Sequence, residues 1–126
     1  MKKLNYKISS KITPDDLMKY GFHRIYPSSY VYRVPCYKHN KQPLIFLEFL
    51  VGFEVNSKKE FENPTMLINC KDKNDNFYVP FYREDYFNKN EVLDKINRKL
   101  SLVISDMIKK ELIVKKNKTN SKRRRK

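Results

Sequence analysis

The sequence predicts a small α+β domain: a short N-terminal helix, a four-stranded antiparallel meander, a long C-terminal amphipathic helix packed on one sheet face, and a disordered basic tail. Three observations carry this. A capped, glycine-terminated segment occupies residues 13–22, runs of period-two alternation separated by polar turns fill residues 30–82, and apolar residues recur at helical spacing between residues 89 and 114. At 126 residues, 40% hydrophobic and 13% aromatic, the chain is long enough and apolar enough for one packed core.

Residues 13–22 read TPDDLMKYGF. Thr13 suits an N-cap, Pro14 the first helical position, Asp15 and Asp16 the positive end of the helix dipole, and Gly21 the stop. From Tyr30 to Tyr37, Tyr30, Tyr32, Val34 and Cys36 alternate with Val31, Arg33, Pro35 and Tyr37. Pro35 cannot donate to a ladder, so this strand is expected to be an edge or to carry a bulge. After a turn at His39–Pro43, residues 44–55 form the longest β-run, its face of Ile45, Leu47, Phe49, Val51, Phe53 and Val55 uninterrupted; this is the expected central strand, with Gly52 marking a bulge. A third strand is expected over Met66–Cys70, then a turn at Asp72–Asn76, then a fourth strand over Phe77–Tyr82. Connections this short require antiparallel pairing. Asn88 with Glu91 three residues later reads as a capping box, and a helix is expected over Lys89–Val114 with Val92, Ile96, Leu100, Val103, Met107 and Ile108 as its apolar stripe.

Charge is distributed unevenly. The chain has 28 Lys+Arg against 14 Asp+Glu, a formal net charge of +14. Residues 1–11 form a basic arm with four lysines and no acid, residues 12–114 a nearly neutral domain, and residues 115–126 a tail with eight cations and no acid. An A/T-rich gene accounts for part of this, since the chain has 21 Lys, 12 Asn and no Ala. It does not account for a final dozen residues without a carboxylate. Polyanion contact through Lys115, Lys116, Lys118, Lys122, Arg123, Arg124, Arg125 and Lys126, joined by Lys109 and Lys110 at the end of the helix, is therefore the leading expectation.

Several chemistries fit poorly. Two glycines form no phosphate-cradling loop, and two cysteines supply neither a disulfide scaffold nor a four-thiolate zinc site. Cys36, His39, Cys70 and His23 sketch a tetrahedral set, but both cysteines alternate with core-facing residues and read as buried thiols; no metal and no cofactor is expected. Glu48 and Glu54 share a strand face but lie about 20 Å apart along it, too far to share a metal, and Asp72 and Asp75 suit a turn. No motif sets a histidine beside a nucleophile, so no catalytic residue is assigned. No apolar run reaches the roughly 18–20 residues of a membrane span, and residues 1–11 lack a signal-peptide core. The expectation is a cytoplasmic protein in a bacterial host; in a eukaryotic host, KRRRK at residues 122–126 would direct it to the nucleus.

The aromatics offer a second surface. Tyr78 and Tyr82 share one face of the expected fourth strand, and Arg33 and Tyr37 the outward face of the first. If the long helix covers only the opposite side, these side chains stack unpaired bases or meet a protein partner; if not, they are packing residues. DLMKYGF at residues 16–22, followed by Tyr30 and Tyr32, resembles the D-L-x-x-Y-G-F opening of small uncharacterised proteins encoded by phages and mobile elements of low-GC bacteria. That resemblance implies a genomic context. Two expectations follow: a non-enzymatic accessory protein whose basic ends bind the phosphate backbone of DNA or RNA, or a phage or mobile-element protein that binds and inhibits a host protein or ribonucleoprotein, such as a defence nuclease or replication factor, through the sheet face.

Overall fold

The computed structural model describes residues 6–83 and 90–115 of the chain. The elements run in the order β1 (Tyr6–Ile8), α1 (Pro14–Tyr20), β2 (His23–Tyr26), β3 (Ser29–His39), β4 (Gln42–Val55), β5 (Phe61–Asp72), α2 (Val79–Tyr82), α3 (Glu91–Lys109) and β6 (Ile113–Lys115). The α+β class and the antiparallel sheet are as expected. Strands β2-β3-β4-β5 form a four-stranded antiparallel meander, and β1 pairs with β6 in a separate two-stranded ribbon.

Helix α1 begins as its sequence dictates. The Thr13 hydroxyl accepts from the Asp16 amide and the Asp16 carboxylate accepts from the Thr13 amide, a reciprocal capping box, with Pro14 at the first turn. Gly21 ends the helix at φ 129°, a conformation in which a Cβ would also stand 3.2 Å from the Tyr32 ring. Strand β4 is the centre of the molecule. Its residues Ile45, Leu47, Phe49, Val51 and Phe53 are buried, and α3 adds Ile96, Leu100, Val103, Ile104 and Met107 to the same core. Register shifts fall beside Pro35 and beside Gly52, where the sequence marked them. No polar or charged residue is buried among the described residues.

The meander is nevertheless one strand out of step with the expectation. Its first strand is β2, which is exposed at every position and so carries no alternation to read. The strand expected over Phe77–Tyr82 does not form. Phe77 makes a single bridge to Lys71, and Val79–Tyr82 then turn into α2 with Pro80 in its first turn, because proline cannot extend a ladder but does suit a helix start. This segment closes the open edge of β5: the Tyr78 amide donates to the Cys70 carbonyl at 2.9 Å, and the Cys70 amide donates to the Tyr82 hydroxyl at 2.7 Å.

The helix expected over Lys89–Val114 is shorter at both ends. Its N-cap is Asn90, whose side chain accepts from the Leu93 amide, and Asn88 lies outside the described residues. The helix stops at Lys109, Glu111 takes φ 64°, and the chain turns back to form β6. β6 pairs with β1 in the register Tyr6↔Lys115, Lys7↔Val114 and Ile8↔Ile113, with Ile8 and Ile113 buried. Residues assigned by sequence to the N-terminal arm and to the start of the tail are thus neighbours in one ribbon.

Candidate nucleic-acid interface

The β1-β6 ribbon, α1 and the C-terminal turn of α3 enclose an open groove of about 1040 Å³. Lys7 reaches it from β1, Lys11 from the turn that follows, Lys19 from α1, Lys110 from the end of α3, and Lys115 from β6. Five lysines from five parts of the chain face two acids, Asp16 and Glu111. Asp16 is held in the α1 capping box. With the lysines, Ile12, Tyr20, Ile108, Leu112 and Val114 also line it, so cations and apolar side chains share the groove.

Tyr20 is fixed in place. Its hydroxyl donates to the Asp106 carboxylate at 2.7 Å, and its ring meets the Tyr32 ring edge-on at 5.1 Å between centroids. Burial first, and then the neighbouring Asp106 carboxylate, push the Tyr20 hydroxyl well above the ordinary tyrosine value, so it remains a proton donor. Lys110 pairs with the same carboxylate at 3.7 Å and stands 5.6 Å from the Tyr20 ring centroid.

Of the residues singled out from sequence, Lys110 and Lys115 line the groove, and Lys109 lies exposed one residue before the cap of α3. Lys116, Lys118, Lys122, Arg123, Arg124, Arg125 and Lys126 lie outside the described residues, continuing the chain from Lys115. Because Tyr6 pairs with Lys115, the sequences flanking the ribbon on both sides, one holding Lys2 and Lys3, depart from adjacent backbone positions. Sequence reasoning missed Lys7, Lys11 and Lys19 as site residues. The signal that pointed to two of them was the acid-free arm, and what it lacked was the pairing that brings the arm to the tail.

The expected Tyr/Arg platform is not assembled. Tyr37 lies opposite the buried Ile45 and beneath Lys95 of α3, because the bulge beside Pro35 inserts one residue and turns Tyr37 to the helix side, away from Arg33. Tyr78 and Tyr82 are half-buried packing residues: Asn90 donates to the Tyr78 hydroxyl, and the Tyr82 hydroxyl, raised above its usual value chiefly by burial, accepts from Cys70. Arg33 stays on the outward face, where its guanidinium lies 4.0 Å from the Phe46 ring centroid and 3.8 Å from Glu48. Glu48 also pairs with Lys71 at 3.4 Å, giving a row of charge across three strands. Partial burial lowers the Lys71 pKa, but Glu48 and Asp75 together more than offset this and hold it raised. This face, with Val31, Leu50 and the exposed Leu67, contributes nothing to the core.

Cys36 and Cys70 are both buried. Among the described residues no three His, Cys, Asp or Glu side chains gather to hold a metal ion, and no helix is long and apolar enough to cross a membrane.

The arrangement of elements is similar to that in the crystal structure of a DUF1831 family protein from Lactobacillus plantarum, with a TM-score of 0.57 at 13% identity over 86% of this chain and 84% of that one. At such low identity the likeness is one of fold. No protein-family model matches the chain, and no curated protein matches it.

Proposed function

We propose that the protein is a small, non-enzymatic nucleic-acid-binding accessory protein, and that the basic groove is its binding surface, extended by the cations on either side of the ribbon. One observation carries this reading: five lysines from two stretches of the chain about ninety residues apart line a single groove beside the β1-β6 ribbon. Lysine ammoniums recognise phosphate as point charges, displacing condensed counterions, so affinity is salt-dependent and largely independent of sequence.

The test is binding of the full chain, and of a Lys7→Glu/Lys19→Glu variant, to labelled DNA and RNA across a salt series. Engagement of about five phosphates gives a slope of log K against log salt of roughly −4.5 on duplex and about −3.5 on single strands. The variant should bind more weakly with a shallower slope. Equal binding by both proteins would remove the groove from the reading.

A second reading, inhibition of a host protein or ribonucleoprotein, is favoured by the outward sheet face, where Leu67 is 49% exposed beside Leu50. In that case Arg33→Ala with Leu67→Ser would abolish capture of the partner and leave nucleic-acid binding intact.

A further inference from the structure

We infer that the groove accepts single-stranded nucleic acid, with unstacked bases against its apolar side chains and phosphates on its lysines; this rests on the nucleic-acid reading above and makes it more specific. The apolar part of the lining decides it. A duplex keeps its base faces stacked inside and shows only their edges in the grooves, so an apolar strip finds little base surface to pack against. Single strands offer base faces as well as charge, and the usual site for them interleaves aromatic or apolar side chains with cations. Here Ile108 and Val114 line the groove while 38% and 40% exposed, which leaves their aliphatic surface open to a ligand. The Tyr20 ring lines the groove with them, its orientation set by Asp106 and Tyr32. Lys110, whose side chain is 60% exposed, is placed to exchange its contact with that ring for a phosphate once a base enters.

The experiment compares three labelled probes of about twelve nucleotides, oligothymidylate, oligouridylate and a mixed-sequence duplex, against the full chain and its variants. Ile108→Ser/Val114→Ser, two substitutions at exposed positions, should weaken single-strand binding about five- to tenfold and leave duplex binding within about twofold. Tyr20→Leu should act in the same sense and Tyr20→Phe should not, with thermal melting checking that each variant is folded. A larger loss on oligouridylate assigns the site to RNA, and equal losses assign it to single strands of either kind. Apolar variants that weaken all probes equally, or none, overturn this inference while Lys7→Glu/Lys19→Glu still reports on the groove's charge. If that charge reversal also changes nothing, the nucleic-acid reading falls with it.

Discussion

At the scale of single residues, two groups tie charge to stability. Glu48, with a side chain only 12% exposed, is flanked by Arg33 and Lys71, so its carboxylate offsets two cations on neighbouring strands. Glu48→Gln leaves those cations facing each other without it, and urea unfolding should show a loss of about 1 kcal/mol, shrinking at high salt. Tyr20 carries a pH dependence of definite sign. Its folded-state pKa lies above the ordinary value of 10.0, so the folded protein holds that proton more tightly than the unfolded chain does. The resulting stabilisation is fully present below about pH 10 and is lost as pH rises beyond it. Tyr20→Phe has no such proton to lose. The stability gap between wild type and Tyr20→Phe should therefore narrow above about pH 10, read by denaturation at a series of alkaline pH values.

Among the elements, the β3-β4 hairpin offers a direct test of local backbone chemistry. Its two-residue turn, Asn40 and Lys41, has φ values of 51° and 67°, the pattern of a type I′ turn that favours Asn-Gly. Asn40 suits its position and Lys41 does not, so Lys41→Gly should stabilise the protein by about 0.5–1 kcal/mol in thermal or urea unfolding. What the sequence made legible follows the same logic of local signals. The α1 N-cap and its glycine stop, the β4 alternation, the Asp72–Asn76 turn and the bulges near Pro35 and Gly52 all rest on residue types whose preference is strong and local. β2 was illegible because an edge strand exposed on both sides has no hydrophobic period, and β1 and β6 because three residues establish none. Phe77, Val79 and Phe81 imitate a strand, but Pro80 and the demand of the β5 edge for partners prevail. The candidate site was half legible: Lys110 and Lys115 stood out by charge. Lys7 and Lys11 needed the pairing of segments about a hundred residues apart, Lys19 the docking of α1 beside that ribbon, and Tyr37 was lost to a single inserted residue.

For the whole molecule, charge and core are kept apart: the chain has a formal net charge of +14, and among the described residues the interior holds no charged group. Such a chain responds to salt in two opposed ways. Self-repulsion among cations destabilises the compact state, and screening relieves it, so the melting temperature should rise between about 0.05 and 0.5 M salt. Over the same range counterion competition weakens binding to phosphate, so affinity should fall as stability increases. A protein that merely loosened in salt would lose both together, and this distinguishes a true electrostatic interface from unfolding. Removing residues 116–126 takes away seven of the 28 Lys+Arg and should make both responses shallower. It leaves the five groove lysines and the apolar lining in place, so the effect of Ile108→Ser/Val114→Ser on single-strand affinity should persist in the shortened chain. Measured side by side, the salt slope assigns affinity between tail and groove, and the persistence of the Ile108→Ser/Val114→Ser effect tests whether the groove alone discriminates between strands.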